Sequence, residues 1–260
     1  MNLGNTFSRQ FKILLLKLKL NNPFHVQTFQ GEFEHNIADI HHLDRVTLHG
    51  IRHYNTPIGP LPSVTTVLSS VIKDGLLAWE DRIGFAAAER VRTQASGRGT
   101  RVHDICERYV GNEVINPRSI QPANYLLFKS LRPLLDKNIT NVRGIEATLW
   151  SKYLKVAGTV DLVANWDGVL SIIDYKTSKR EKKEEWVDGY FMQEAAYAVA
   201  WEELTGEPIQ QLVTVVANES APPQIFVDKR DNWIYGFINI RKEFQIDDSS
   251  ESELMEAYNG

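Results

Sequence analysis

The chain has 260 residues, of which 43% are hydrophobic and 24% charged, and its formal net charge is −4 at pH 7. This composition excludes disordered and fibrous proteins, and the length suits one large domain or two small ones. The negative balance gives no sign of a broad basic surface, the simplest signature of nucleic-acid binding. A single cysteine, Cys106, excludes an internal disulfide, and no apolar run, that of residues 13–16 included, is long enough to span a membrane.

Charge is concentrated at the two ends of the chain. Residues 1–30 contain four basic side chains and no acidic one, whereas residues 243–260 contain six acids and no Lys or Arg. The basic start could be a targeting peptide, but it lacks a continuous apolar core and a small-residue cleavage site. We therefore predict an N-terminal extension over residues 1–44, a single domain over 45–245 and an acidic, solvated tail over 246–260.

The first third of the domain is predicted to be mainly helical. Residues 45–61 alternate and then reach several Pro and Gly residues, which indicates a short hairpin or a strand followed by a turn. Ser63 can cap the first helix, and Gly97 and Gly99 are expected to interrupt the chain between two later ones. The predicted helices cover about residues 63–71, 79–88, 100–110 and 124–135.

The pattern then changes to β-branched strands with short turns. The predicted strands cover residues 142–150, 155–165, 169–177, 210–217 and 224–228, and the predicted helices cover residues 185–204 and 233–244. Three consecutive strands joined by short turns imply an antiparallel start to the sheet. The fold class is therefore α+β or mixed α/β, with helices flanking a central sheet.

The chemistry is concentrated on one predicted hairpin. Asp167-Gly168 is a strong two-residue turn signal, because a type I′ turn needs positive φ. With that turn, Asp161 lies directly opposite Asp174, and Lys176 shares their face. Two opposed carboxylates repel each other unless they share a proton or bind a cation. The alternative is that both acids are exposed strand residues, one of them paired with Lys176.

Hard oxygen ligands at this spacing suit Mg²⁺ or Mn²⁺, and the carbonyl of Tyr175 lies beside the pair. Lys176 would then lie close to a metal-bound water and to a substrate phosphate, where it could stabilise developing charge. His103 borders the buried stripe of its helix and could complete the ligand set, although a hydrogen-bonded structural role is the competing interpretation. These residues predict a site that hydrolyses phosphodiesters.

Three further side chains are candidates for the same site. Gln193 and Tyr197 are spaced i, i+4 on an otherwise apolar helix face, so Gln193 could reach the attacking water or could simply make a structural hydrogen bond. Glu146, on the preceding strand, could supply a third carboxylate or be exposed. The predicted nucleic-acid contacts are basic residues beside this hairpin and at the start of the His103 helix, namely Arg98, Arg101, Lys179, Arg180, Lys182 and Lys183.

Together these motifs resemble the PD-(D/E)XK nuclease superfamily in its RecB-like branch. The matching segments are Gly99-Thr100-x-x-His103, Glu146, Gly158-Thr159-Val160-Asp161, Ile173-Asp174-Tyr175-Lys176-Thr177-Ser178 and Gln193-x-x-x-Tyr197. The upstream Leu61-Pro62-Ser63-Val64-Thr65-Thr66-Val67-Leu68 and Trp79 resemble the mitochondrial genome maintenance exonuclease group and its phage-encoded relatives. The resemblance covers about residues 50–205.

The resemblance implies a PD-(D/E)XK core at about residues 141–245, with His103, Asp161 and Asp174 as metal ligands and Lys176 as the catalytic lysine. A helical arch over about 62–137 could make a strand thread through. One cysteine rules out the four-cysteine iron–sulfur cluster of some RecB-like nucleases. The expectation is a Mg²⁺- or Mn²⁺-dependent DNA exonuclease for single strands or ends. A structure-selective endonuclease and a non-catalytic binding module are the alternatives.

The same resemblance, with no membrane segment expected, suggests the cytoplasm of a bacterium or a phage-infected cell. Mitochondrial import is the alternative that the basic start leaves open. Replication or recombination proteins are the expected partners besides DNA.

Overall fold

The computed structural model describes residues 28–48, 50–71, 82 and 84–244. Its centre is a mixed sheet of five strands in the order β4-β5-β6-β7-β8. Strands β6 and β7 are parallel and the other neighbours are antiparallel. The strands are β4 (Ile139–Ser151), β5 (Val156–Trp166), β6 (Val169–Ser178), β7 (Gln211–Asn218) and β8 (Gln224–Lys229). The predicted mixed α/β class is confirmed.

The turn between β5 and β6 has the predicted conformation. Asp167 and Gly168 have φ values of 50° and 82°, as a type I′ hairpin requires. Trp166 pairs with Val169, so the predicted register is confirmed at the turn. The chain then crosses from β6 to the parallel β7 through a helix, because parallel strands cannot be joined by a tight turn.

Helices cover both faces of the sheet. Helices α2 and α3 pack with Ile173 and Tyr175 in one core cluster, whereas α1, α4 and α5 pack with Val160 and Ile172 in the other. Each apolar face of the central strands is therefore buried. The helices are α1 (Val64–Ser69), α2 (Phe85–Val110), α3 (Pro122–Asn138), α4 (Asp188–Thr205) and α5 (Arg230–Glu243), and Gly206 follows α4 in a left-handed conformation.

The predicted interruption at Gly97 and Gly99 is wrong. Both glycines lie inside α2, which continues from Phe85 to Val110. A glycine in a helix interior costs only about 1 kcal/mol relative to alanine, and burial of the helix's apolar face offsets that cost. A Cβ added at Gly99 would lie 3.8 Å from the Thr177 hydroxyl, so this turn of α2 runs close to the end of β6.

A second, smaller sheet packs against β5 of the large sheet. It is antiparallel and consists of β1 (Arg45–Leu48), β2 (Ile51–Thr56) and β3 (Gly59–Pro62), one strand more than a simple hairpin. Ser63 caps α1 as predicted, accepting a 3.0 Å hydrogen bond from the Thr66 N–H. Ser63 also bridges to Ala157, and the hydroxyls of Tyr54 and Thr159 are 3.0 Å apart. These contacts fix the small sheet against β5.

Some predictions fall outside the described residues. The possible targeting peptide, most of the acidic tail and Trp79 are among them. The division into an extension, an arched domain and a tail stays a prediction. None of the helices in the described part of the chain has the length and apolarity that a membrane span requires.

The continuity of α2 can be tested by replacing Gly99 with alanine. The added Cβ would meet only the Thr177 hydroxyl, at ordinary contact distance, so we expect Gly99→Ala to raise the free energy of unfolding by about 0.5–1 kcal/mol. Gly50, whose φ is 76°, is the contrasting control, since alanine there should destabilise the protein. Equal effects of the two substitutions in urea unfolding would contradict a helix through Gly99.

Candidate active site

The sequence-predicted catalytic residues meet in one cavity of about 540 Å³ between β4, β5, β6, α2, α4 and the small sheet. The predicted residues that line it are His103, Glu146, Asp161, Asp174, Lys176, Gln193 and Tyr197. Tyr175, whose side chain is buried, points its ring into the core beside His103, at 6.0 Å between ring centroids. Its backbone, not its phenol, is therefore the part available to the site.

The sheet is interrupted at Asp161. The β5–β6 pairing ends at Leu162 and Ile173, and the β4–β5 pairing omits Glu146 and Asp161. The predicted direct pairing of Asp161 with Asp174 is therefore wrong, because the ladder stops one residue earlier. Glu146 has φ of 46°, a left-handed conformation that costs a non-glycine residue on the order of 1 kcal/mol. This irregularity releases Asp161 from both neighbouring strands.

Asp161 instead binds two groups through its side chain. Its Oδ2 accepts a 2.9 Å hydrogen bond from the Tyr175 N–H and lies 3.1 Å from His103 Nδ1. Burial alone would raise the pKa of Asp161, but the charge and hydrogen bond of His103 hold it below its ordinary value. Burial likewise opposes charge on His103, yet Asp161 raises the pKa of that imidazole. The two form an ion pair.

Asp174 is held by a different pair of partners. It is 2% exposed, forms an ion pair with Lys176 through Oδ2 and accepts a 3.1 Å hydrogen bond at Oδ1 from Gln193 Nε2. Burial raises the pKa of Asp174 despite Lys176, and Asp174 raises the pKa of Lys176 against the effect of burial. Gln193 therefore fixes the orientation of this carboxylate, one of the two interpretations that the sequence left open.

Glu146 faces the same cavity and has an unusual proton affinity. Burial, followed by the nearby charge of Asp161, raises its pKa to about 7. The group therefore exchanges its proton near neutrality, which is the range a general base needs. It is one of five carboxylates that line the cavity, with Asp104, Glu107, Asp161 and Asp174, and it comes from a distorted part of β4.

The donor set suits a divalent cation in its chemistry. Two carboxylates, an imidazole and the Tyr175 carbonyl are oxygen and nitrogen ligands of the kind that Mg²⁺ or Mn²⁺ accepts. In the described part of the chain, however, no three His, Cys, Asp or Glu side chains are placed to hold a metal ion together. In this arrangement His103 contacts Asp161 and Lys176 contacts Asp174. Both aspartates are thus engaged by basic side chains of the chain itself.

The predicted nucleic-acid contacts differ in their availability. Arg98 forms an ion pair with Glu219 and donates to the Thr177 hydroxyl, so its charge is already neutralised within the chain. Arg101 is exposed on α2. The basic loop after β6 is exposed at three of its four predicted positions, namely Lys179, Arg180 and Lys183, and is half-buried at Lys182.

The basic loop is fixed by Gln224, which accepts from the Lys182 N–H at 2.7 Å and donates to its carbonyl at 2.9 Å. This side chain on β8 therefore holds the loop beside the end of β6.

Sequence reasoning missed one buried acid next to the site. Glu194 is fully buried on α4, and its carboxyl accepts a hydrogen bond from the Thr214 hydroxyl on β7. Burial, and then the charge of Asp174, raises the pKa of Glu194 well above its ordinary value. The sequence did contain a signal for this burial, because Glu194 is flanked by the apolar residues Phe191, Ala195 and Ala196.

Two arginines, Arg45 and Arg52, also line the cavity. Their position depends on the packing of the small sheet, which local patterning does not reveal.

Residues 130–232 match the model of the PD-(D/E)XK nuclease superfamily. This match confirms the resemblance inferred from the motifs. Among curated proteins, mitochondrial genome maintenance exonuclease 1 of Homo sapiens is 27% identical over 131 residues, which covers 47% of this chain and 38% of the human protein. The match therefore spans well under half of that relative.

A solved structure of a candidate exonuclease from Eubacterium rectale is also similar. It shares 14% sequence identity at a TM-score of 0.33, and the alignment covers 76% of this chain and 68% of the other.

The wall formed by Gly158 and Tyr197 gives a first test of the site. A Cβ at Gly158 would lie 2.8 Å from the Tyr197 ring and hydroxyl, which are buried and cannot move away freely. We expect Gly158→Ala to lower the free energy of unfolding by about 1–3 kcal/mol. Gly189→Ala is the matched control because nothing lies within 4 Å of its added Cβ. Adding Tyr197→Leu should recover part of the loss, and strictly additive effects would contradict the steric explanation.

Glu146 gives a second test, through the pH dependence of stability. The folded protein keeps this proton up to about pH 7, whereas an unfolded chain releases it near the ordinary value of 4.5. Raising the pH through this window therefore favours unfolding, and the wild type should lose stability that Glu146→Gln does not lose. Urea unfolding at several pH values measures the difference, with the exposed Glu89→Gln as control. If the free energy of unfolding changed with pH in the same way for the wild type and for Glu146→Gln, the raised pKa assigned to Glu146 would be wrong.

Proposed function

We propose that this chain is a metal-dependent deoxyribonuclease that degrades single-stranded DNA, or DNA ends, as an exonuclease. The observation that carries the proposal is the convergence of Asp161, Asp174 and Lys176 with Glu146 and Gln193 in one cavity. The match to a nuclease superfamily and the similarity to an exonuclease support hydrolysis of nucleic acid. The choice of DNA as the substrate, the requirement for a free end and the dependence on a metal ion are our proposal.

His103, Asp161, Asp174 and the Tyr175 carbonyl are the groups that would hold Mg²⁺ or Mn²⁺. A bound divalent ion would supply charge stabilisation to the phosphate and lower the pKa of a coordinated water. Because His103 carries a raised pKa beside Asp161, it must release a proton before its nitrogen can serve as a ligand. Binding should therefore release protons and weaken as the pH falls.

The chain's own residues supply the remaining chemistry. Lys176, half-buried and facing the cavity, can orient the attacking water and stabilise charge on the phosphate oxygens. Glu146, with a pKa of about 7, can accept the proton of that water at its carboxylate. Gln193 keeps Asp174 in its position through the 3.1 Å hydrogen bond. Tyr197 forms the wall that closes the cavity against Gly158.

Aromatic and basic side chains beside the site support a single-stranded substrate. The Tyr190 ring lies 5.1 Å from Lys176 Nζ and 5.9 Å from Lys182 Nζ. Trp186 is 53% exposed and has Lys183 Nζ 5.3 Å from its ring. Exposed rings interleaved with cations are typical of proteins that stack unpaired bases while contacting phosphates. The predicted arch over residues 62–137 would add a requirement for an end, and replication or recombination partners and a bacterial or phage cytoplasm remain predictions.

The decisive assay compares linear single-stranded DNA with a covalently closed circle of the same sequence, with Mg²⁺ or Mn²⁺ present. We expect the linear strand to be degraded and the circle to resist, because an exonuclease needs an end. Strands labelled at the 5′ or 3′ end give the polarity, and an RNA strand of the same sequence tests the sugar preference. Equal cleavage of the circle would indicate an endonuclease, and no cleavage of any substrate would indicate a binding module.

Lys176→Ala tests the catalytic assignment. We expect the rate of degradation to fall about 100-fold or more, because the charge aimed at the phosphate is lost, while single-strand binding is largely retained. Lys129→Ala is the charge-matched control, since Lys129 is exposed on α3, a helix that contributes nothing to the cavity. A Lys176→Ala protein that degrades DNA at the wild-type rate would contradict the mechanism.

A further inference from the structure

Two arginines of the small sheet face the candidate active site, and no acid among the described residues is paired with either of them. Arg45 and Arg52 both line the cavity that contains Asp161 and Asp174. Within the part of the chain that the structure describes, neither guanidinium has an ion pair or a side-chain hydrogen bond. Arg98, Arg143 and Arg230, by contrast, are each paired with a glutamate. The two arginines are therefore available to an anion from outside the chain.

The register of the small sheet explains their position. Arg45 pairs with Tyr54 across β1 and β2, and Arg52 is two residues before Tyr54, so all three project from one face. Tyr54 reaches the catalytic strand through the hydroxyl of Thr159, two residues before Asp161. This contact holds the arginine face against the wall of the active-site cavity.

Arg52 also connects the cavity to a second hollow. Arg52 and Thr65 line both the active-site cavity and a neighbouring one of about 510 Å³. The second hollow is bordered by further hydroxyls on α1, those of Thr66, Ser69 and Ser70. The two hollows therefore meet at a cationic side chain and a hydroxyl.

The chemistry of this junction suits phosphodiester groups. A guanidinium binds phosphate oxygens through two parallel hydrogen bonds, and hydroxyls are common additional phosphate contacts. Ser69 and Ser70 already donate to the helix carbonyls of Thr66 and Val67, at 2.8 and 2.7 Å. The Thr65 and Thr66 hydroxyls lie 3.1 and 2.7 Å from the Ser63 hydroxyl. The charge of Arg52 is therefore the principal group of the junction.

We propose that Arg45 and Arg52 bind the phosphate backbone of the substrate strand and direct it from the active site across Thr65 into the hollow on α1. This inference rests on the proposed nuclease function and adds the path that the strand takes on the side of the small sheet. The arginines act on binding and register of the strand, whereas Lys176 acts on the phosphate that is cleaved.

The test measures binding and cleavage separately, using wild type, Arg52→Ala, Arg52→Gln and Arg45→Ala. Binding is measured with an internally labelled 20-nucleotide single-stranded DNA in EDTA, across a series of salt concentrations. Cleavage of the same strand is measured with Mg²⁺ or Mn²⁺. Lys129→Ala again removes one cation without touching the cavity. The Arg52 carbonyl, which accepts from the Ser63 N–H at 2.9 Å, is unchanged in every variant, so the fold should be retained.

We expect Arg52→Ala to weaken binding and to raise KM about tenfold, with kcat within about twofold of wild type. The slope of log affinity against log salt should decrease by about 0.7 for each lost phosphate contact. Arg52→Gln should match Arg52→Ala if charge is what binds, and Arg45→Ala should show a similar change.

The proposed path would be overturned if Arg52→Ala and Arg45→Ala both bound the strand with the affinity and salt dependence of the wild type. If the wild type degrades DNA in the same experiment, the nuclease function would still stand. A fall in kcat with unchanged KM would also overturn it, because the arginines would then act on chemistry. A wild-type protein that neither binds nor cleaves the strand would overturn both the path and the proposed function.

Discussion

Two carboxylates at one end of a sheet repel each other, and the rest of this site gives each of them its own set of partners. Asp161 and Asp174 are separated by the ending of the β5–β6 ladder, and each receives its own cation. His103 comes from α2 and Lys176 from β6 itself, so helix and strand must both be in place before the pair can form. Because α2 contributes His103 and α4 contributes Gln193, helices from both faces of the sheet contact the two carboxylates.

The same requirement explains the distortion of the central sheet. A regular ladder would use the backbone of Asp161 and Tyr175 for strand pairing, whereas here the Tyr175 N–H donates to the Asp161 side chain. The left-handed backbone of Glu146 has a matching effect on the opposite side of β5, where Asp161 is also left out of the pairing with β4. Local strain of this kind persists when surrounding packing determines it, and the buried strands on both sides provide that packing.

The sequence predicted the parts of the site that local rules govern. The Asp167-Gly168 turn determined the hairpin register near the turn, and the apolar pattern of α4 placed Gln193 and Tyr197 on the cavity side. Predictions were wrong where distant packing decides the outcome. Gly97 and Gly99 remain helical because the C-terminal part of α2 is buried, and the ladder stops before Asp161, whose own side chain accepts from the Tyr175 N–H.

Net charge was a poor guide to the substrate for a related reason. The chain carries −4 overall, but a bound strand responds to charges within about one Debye length of it, roughly 8–10 Å at moderate salt. Within the cavity, His103 contacts Asp161 and Lys176 contacts Asp174, while neither Arg45 nor Arg52 is paired with an acid among the described residues. Asp104, Glu107 and Glu146 add further acidic groups to the lining. Any cation that binds the two carboxylates would release Lys176 from Asp174 and make it available to a phosphate. The electrostatic potential at the site therefore depends on whether Lys176 and His103 stay paired with the two aspartates. The total charge of the chain gives no information about that local potential.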